Sequence, residues 1–314
     1  MKYGFGVDLG GTTVKIAFFD ETGTMQDKWE IPTVTQNEGS QILPDIAASV
    51  QKYLDEKKID RQNILGIGIG VPGPVDDHGN VNGCDNLGWG EFNVHDVLGN
   101  LTGFPVKAGN DANMAALGEL WKGSGTGCDN MVLATFGTGV GGGIVINGKP
   151  LNGVHGAAGE IGHITVERDE TEQCTCGKYG CVEQYCSATG IVRLAKKRLA
   201  LSHRDSILRN VQPLTCKDVF DAGNQKDALA LEILEQVYTY MGQFLAAVCC
   251  VTDPEVVVLG GGVSRAGQPL LEGAKRYFDK YIFPEARSIR FARASLGNDA
   301  GAYGAFKLIL DAQH

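Results

Sequence analysis

Apolar runs broken by glycine-rich turns organise this chain from its first residues. Residues 3–7 read as a strand, Asp8-Leu9-Gly10-Gly11-Thr12-Thr13 as a turn, and residues 14–19 as the returning strand of a hairpin. Over 41–57 the apolar residues Ile42, Ile46, Val50 and Leu54 recur in steps of four, which predicts an amphipathic helix. Residues 64–71 are continuously apolar, as in a strand covered on both faces, and stop at Pro72-Gly73-Pro74. A short strand over 104–108 ends at Gly109-Asn110-Asp111, and a helix over about 112–121 carries Met114, Leu117 and Trp121 on one face. A second hairpin echoes the first: a strand over 131–136, a turn over 137–142 and a return over 143–146. Helices are predicted at about 187–200, 226–250, 267–280 and 300–311, and a strand over 255–259 ends in Gly260-Gly261-Gly262.

This alternation predicts a mixed α/β architecture. With 314 residues and 43% hydrophobic content, the chain is more usual for two domains than for one. The repeated hairpin suggests two similar α/β domains, each offering one phosphate loop to a shared cleft. The expected division is residues 1–111 plus about 300–314 as the smaller lobe and 112–299 as the larger, with a cysteine-rich loop at about 160–185. A net charge of −9 makes nucleic acid an unsuitable partner. No run of 18 apolar residues suggests a membrane span, and the start lacks the pattern of a signal peptide, so a cytoplasmic location is expected. The cysteine count of 9 is odd, which argues against a disulfide framework. Clustered thiols then read as metal ligands, and the scattered Cys84, Cys128, Cys186, Cys216, Cys249 and Cys250 as small buried residues without an assigned role.

Two familiar motifs fail on inspection. Gly143-x4-Gly148-Lys149 looks like a P-loop, but Pro150 stands where a magnesium-binding hydroxyl belongs, and Asn147-Gly148 reads better as a hairpin turn. Gly137-x-Gly139-x-x-Gly142 matches a dinucleotide fingerprint, but a strand follows it where a helix is needed. The glycine turns suit a phosphate tail in another way, as clusters of backbone N–H groups. Gly10, Gly11 and Gly139 let the backbone approach, Thr12, Thr13 and Thr138 add hydroxyls, and Lys15 joins the same set. Gly261 and Gly262 supply a third such turn. Asp8, at the end of the first strand, could hold magnesium directly or through water. Each turn taken alone is also readable as a plain tight hairpin. Asp111, read locally, is a helix N-cap.

Asp8-Leu9-Gly10-Gly11-Thr12, Gly137-Thr138-Gly139-Val140-Gly141-Gly142-Gly143, Gly159-Glu160-Ile161-Gly162-His163 and the segment from Cys174 to Glu183 resemble the ROK family (repressors, open reading frames, kinases) over residues 3 to 308. Asn86-Leu87-Gly88-Trp89 and Leu259-Gly260-Gly261-Gly262-Val263-Ser264 further resemble the branch of Gram-positive glucokinases. The resemblance implies a two-lobed actin-like ATPase (ribonuclease H-like) fold of the hexokinase superfamily, a bound zinc and a homodimer. It also implies phosphoryl transfer from ATP with magnesium to the 6-hydroxyl of glucose. Kinases for N-acetylmannosamine, N-acetylglucosamine or fructose, and a sugar-responsive regulator without catalysis, stay open as alternatives.

His163, Cys174, Cys176 and Cys181 form a His-x10-Cys-x-Cys-x4-Cys set, whose four donors suit a closed tetrahedral zinc. Three buried thiols and a core histidine are the alternative. Glu160 lies three residues before His163, so one helical turn would place both on one face. By resemblance, Glu160, His163 and Glu183 contact the sugar, Asn110 reaches a further hydroxyl, and Asp111 is the catalytic base. The backbone at Gly73 and the side chain of Asn86 complete the candidate sugar set.

Overall fold

In the computed structural model, which describes residues 1–313, strands β1 (Tyr3–Leu9), β2 (Thr13–Asp20) and β3 (Met25–Pro32) form an antiparallel meander. Helix α1 (Ile42–Lys57) crosses to β4 (Ile64–Val71), which lies parallel to β1. Its predicted stripe of Ile42, Ile46, Val50 and Leu54 is wholly buried against the sheet's Phe5, Val7, Ile67 and Ile69. A small hairpin of β5 (Asn80–Cys84) and β6 (Trp89–Asn93) and helix α2 (Val94–Thr102) precede β7 (Val106–Asn110), parallel to β4. Helix α3 (Asp111–Lys122) follows without a linker.

The pattern then repeats. Strands β8 (Met131–Phe136) and β9 (Val140–Ile146) make a hairpin, with the two-residue β10 (Lys149–Pro150) antiparallel to β9. Both turn residues between β9 and β10, Asn147 and Gly148, have positive φ (50° and 73°), the hairpin turn expected of an Asn-Gly pair. Helices α4 (Glu183–Cys186), α5 (Ala188–Leu201), α6 (Cys216–Asn224) and α7 (Ala228–Thr252) lead to β11 (Val256–Gly260), parallel to β8. Helix α8 (Gln268–Tyr281) crosses to β12 (Arg290–Arg293), parallel to β11, and helix α9 (Ala300–Asp311) ends the fold. The two sheets read β3-β2-β1-β4-β7 and β10-β9-β8-β11-β12. Each has the order third, second, first, fourth, fifth: the ribonuclease H-like arrangement, present twice.

Two compact units result. The first holds Met1–Asp129, Gly143–Gly159 and the chain from Ser295 onwards; the second holds Asn130–Gly142 and Glu160–Ala294. The boundary expected near residue 112 therefore lies inside the first unit. The cause is the contact of α3 with α9, made backbone to backbone through glycines. A Cβ on Gly304 would sit 1.7 Å from the Met114 carbonyl oxygen, and one on Gly118 2.1 Å from that of Ala300. Buried Glu119 adds a tie, accepting N–H bonds from Ser124, Ser295 and Leu296 at 2.7–2.9 Å.

Several local expectations shift. Strand β7 begins at Val106, not 104, and runs through Asn110. Asn110 is the N-cap of α3, its side chain accepting from the N–H groups of Ala112 and Asn113, so Asp111 is the first helical residue and not the cap. The second turn is shorter than expected: Gly137 N–H closes on Gly139 O at 2.9 Å and β9 already begins at Val140. Cys84, Cys186 and Cys249 are buried as expected, but Cys128 and Cys216 are half-buried and Cys250 is exposed on α7.

Candidate active site

Strand register assembles one cluster at the C-terminal edge of the first sheet, where open α/β sheets take ligands. Asp8 is level with Gly70, and Gly70 with Gly109. Asp8 Oδ2 lies 3.3 Å from Lys15 Nζ, which also reaches the Asn298 carbonyl at 3.4 Å. The turn beside them is locked from β2 and from the residue after β3. Gly10 N–H bonds to Thr13 O at 3.0 Å, Thr33 N–H to Thr12 O at 3.0 Å, and Thr33 Oγ1 donates to Gly10 O at 2.7 Å. Gly11 and Thr12 are exposed, Thr13 half-buried. Gly301 lets α9 approach closely, since a Cβ there would lie 2.8 Å from the Asp8 carboxyl carbon.

On the neighbouring strands, Asn110 Nδ2 donates to Gly73 O at 3.1 Å, joining two of the predicted sugar contacts. Gly73 has φ +130°, a conformation that favours glycine. Asp111 is half-buried in the first turn of α3, where the positive end of the helix favours a carboxylate, and its Oδ1 accepts from Ala112 N–H at 2.8 Å. Cys84 Sγ donates to Pro72 O, so β5 closes over the segment before Gly73. Asn86 is exposed on a single 3-10 turn, Asp85–Leu87.

The second cluster lies within the second unit. His163, Cys174, Cys176 and Cys181 put their ligand atoms within 4.8 Å of one another. His163 Nδ1 is 3.8 Å from Cys174 Sγ, and Cys176 Sγ is 3.6 Å from Cys181 Sγ. Zn–S bonds of about 2.3 Å at tetrahedral angles require S···S edges of about 3.8 Å. The donor set and its spacing thus fit a four-coordinate zinc. Burial and its thiol neighbours push Cys181 up to about 12. Cys176 is held below the usual thiol range: burial opposes this, but bonds from the Lys178 backbone and the other thiols prevail. Neighbouring thiols resist joint ionisation unless a cation compensates. With Nδ1 facing the sulfurs, His163 Nε2 points the other way, 4.0 Å from Glu160 Oε2. The pair sits on the 3-10 turn Ile161–His163, with Glu160 at its N-cap.

Glu183 opens α4, directly after the metal loop. Its Oε2 accepts from Val140 N–H at 2.9 Å and its Oε1 from Thr175 Oγ1 at 3.0 Å. A predicted sugar contact therefore also buttresses the turn after β8. Gly139 makes room for it: a Cβ there would lie 2.3 Å from Glu183 Oε2. Thr138 is exposed at the turn, and its carbonyl accepts from Thr189 Oγ1 at 2.7 Å. Gly261, φ +79°, follows β11 against the same turn, where a Cβ would strike Phe136 O at 2.4 Å, whereas Gly262 faces open space. Thr33, Thr175, Thr189 and Lys178, which donates to His163 O at 2.9 Å, are site residues that sequence reasoning missed. Thr175 and Lys178 lie inside the signature segment from Cys174 to Glu183, but no local pattern names the partner of any of the four, because the fold brings each partner near.

The ROK family model matches residues 4–312. A glucokinase of Halalkalibacterium halodurans is 46% identical over 305 residues, covering 95% of this chain and 92% of that protein. A glucokinase of Thermotoga maritima is 34% identical, covering 97% of this chain and 96% of that one. Among solved structures, a ROK family glucokinase from Streptomyces griseus in complex with glucose and AMPPNP is 33% identical, with a TM-score of 0.74 and coverage of 98% of both chains. The doubled strand order is the actin-like ATPase fold shared with such sugar kinases.

Proposed function

The chain belongs to the ROK family, and on that premise we propose that it transfers the γ-phosphoryl group of ATP to the 6-hydroxyl of glucose. The observation that carries the substrate is the 46% identity, along nearly the whole of both chains, with a glucokinase. Phosphoryl transfer passes through a loose transition state, so the protein mainly positions groups and balances charge. Asp111, fixed by the first turn of α3, orients the hydroxyl and accepts its proton as the bond to phosphorus forms. Asn110 and the backbone at Gly73, already bonded to each other, hold a second hydroxyl, with Asn86 as a further contact. Glu160 and Glu183 accept from sugar hydroxyls, and His163 Nε2 donates to one. Both carboxylates have lone pairs to spare for this.

The turns at Gly10, Gly11, Thr12 and Thr13 and at Thr138 and Gly139 present N–H and hydroxyl donors to the phosphates, and Lys15 adds positive charge. Gly261 and Gly262 form the third such turn, with open space at Gly262. Asp8 would hold magnesium, which supplies charge neutralisation between the phosphate oxygens. His163, Cys174, Cys176 and Cys181 would hold a structural zinc that fixes the loop before α4. We further read the protein as a homodimer acting in the cytoplasm at the entry of glucose into glycolysis; no described helix is long and apolar enough to cross a membrane. A coupled ADP-release assay over glucose, fructose, N-acetylglucosamine and N-acetylmannosamine tests the substrate. Glucose should give the highest kcat/KM. A higher value for an N-acetylated sugar would overturn the choice.

A further inference from the structure

Between His163 and Cys174 the metal loop runs for ten residues, too many to be placed by their ends alone. Its middle is held instead by a charged assembly that no metal touches. The Glu170 side chain is only 5% exposed, and its carboxylate accepts four hydrogen bonds and lies 3.6 Å from Lys197 Nζ. Oε1 accepts from the N–H groups of Thr171 and Glu172, both at 3.0 Å. Oε2 accepts from Tyr185 Oη and from Arg193 at 2.5 Å each. These bonds hold the carboxyl of Glu170 far below the usual carboxylate range, against the cost of its burial.

Arg193, on α5, spreads its fork over three partners. Beyond Glu170 it donates to Glu172 Oε2 at 2.7 Å and, through Nε, to the Gln184 carbonyl at 3.3 Å. Its guanidinium carbon also lies 5.2 Å from the centre of the Tyr185 ring. Gln184 closes the circuit: its Nε2 donates to Glu172 O at 2.8 Å and its Oε1 accepts from the N–H of the ligand Cys181 at 3.1 Å. Gln184 and Tyr185 immediately follow Glu183 in α4. One arginine thus touches the loop on one side and the helix bearing Glu183 on the other.

We infer that Glu170 and Arg193 form a positioning clamp that presents Cys181 to the metal and Glu183 to the sugar. The clamp removes chain entropy from the loop before ligation, so the metal binds a site already closed. Its cost falls on the buried Glu170 carboxylate, since Arg193 is 23% exposed and Lys197 stands as a second cation 3.6 Å from Glu170 Oε1; losing the arginine fork leaves that carboxylate short of its hydrogen bonds. The inference rests on the zinc and glucose reading above.

The test compares the zinc-loaded wild type with Arg193→Met, Arg193→Lys and the double variant Glu170→Gln/Arg193→Met. The readouts are the rate of zinc transfer to a chromophoric chelator and the separate KM values for glucose and ATP. Losing a group that orients a metal ligand typically weakens metal binding about 10- to 100-fold. Arg193→Met should speed zinc transfer by at least about tenfold and raise the KM for glucose more than that for ATP. Arg193→Lys, lacking the fork, should recover only part of this, and the double variant should fold even where the single one does not. Arg193 also borders, with Thr138, Thr189 and Lys196, a cavity of about 530 Å³. A rise confined to the KM for ATP, with zinc transfer unchanged, would make it a nucleotide residue and overturn the clamp. Unchanged zinc transfer in all folded variants would overturn it too, as would a wild type that takes up no zinc. A wild type that holds zinc but does not phosphorylate glucose overturns the substrate reading alone.

Discussion

The turn after β1 and the turn after β8 hold equivalent places in two sheets of one strand order, and each is closed by one backbone bond of its own, yet their further supports differ. The first is secured by its own sheet and the residue just beyond it, with Thr33 bonded across it and Lys15 on β2 beside Asp8. The second is secured by a carboxylate from elsewhere, Glu183, whose helix follows the metal loop. A turn of the first kind depends only on the sheet's folding. One of the second kind depends on whatever places the buttress. Damage to the metal loop should therefore be felt at the second turn and leave the first intact. The three tryptophans, Trp29, Trp89 and Trp121, all lie in the first unit, so their fluorescence reports on that unit.

The largest expected effect lies in the first unit and leaves the second untouched. Asp111→Asn keeps the shape of the side chain and its place in α3 but removes the proton acceptor. General-base loss costs about 10²- to 10⁴-fold in rate, so kcat should fall by that much while zinc content and glucose affinity in equilibrium binding stay near wild type. Turnover within about threefold of wild type, against the expected drop, would remove Asp111 from the base's role. Zinc removal is the converse experiment. Stripping the metal with a chelator should raise the KM for glucose by about tenfold or more, with the tryptophan-monitored urea transition of the first unit unmoved. A first-unit transition that collapses on chelation would break the comparison between the two turns.

One substitution made in both repeats sharpens it further. Gly304→Ala drives a methyl group into the Met114 carbonyl, a backbone atom that cannot swing aside. Overpacking of that kind costs about 1–3 kcal/mol, read as a lower urea midpoint. Gly139→Ala meets the far end of the Glu183 side chain, which can rotate. Stability should then change by less than about 1 kcal/mol, while Glu183 loses its bond to Val140 and the KM values rise. Equal loss of stability in both variants would show that Glu183 is as rigidly held as backbone.

What the sequence disclosed follows from how local each signal is. The stripe on α1 and the apolar run of β4 are patterns within one element, and both appear where expected. The cluster of His163 with Cys174, Cys176 and Cys181 was legible because three cysteines and a histidine are distinctive by residue type alone. Strand β3 was missed because its side chains alternate between half-buried and exposed, leaving no apolar run to read. Helix α6 did carry a local signal, the capping box of Thr215 and Asp218, that the apolar periodicity overlooked. The functions of Glu119 and Arg193 were not legible at all. Glu119 bonds to residues 176 and 177 positions away, and Arg193 is an ordinary helix cation until the fold brings Glu170 to it.

The smallest expected effect concerns a histidine that supports the edge on which Asp111 sits. His95, on α2, accepts the Ala108 N–H at 2.8 Å through Nε2, capping an edge strand two residues before Asn110. Burial, and then nearby Lys107, lower its proton affinity below the usual histidine value, while Asp96 and Asp76 oppose them. Accepting that bond requires the neutral ring. Since the folded protein resists the proton, the unfolded chain binds it first as pH falls below about 6.5. Stability is then present above that pH and declines below it, with the lost bond worth on the order of 1 kcal/mol. Urea midpoints of wild type and His95→Gln, measured at pH 7.5 and 5.5, separate this from general acid effects. The glutamine variant should lose less between the two pH values than wild type does. Identical losses would mean that the strand edge below Asp111 is held by the sheet alone, as the turn after β1 is.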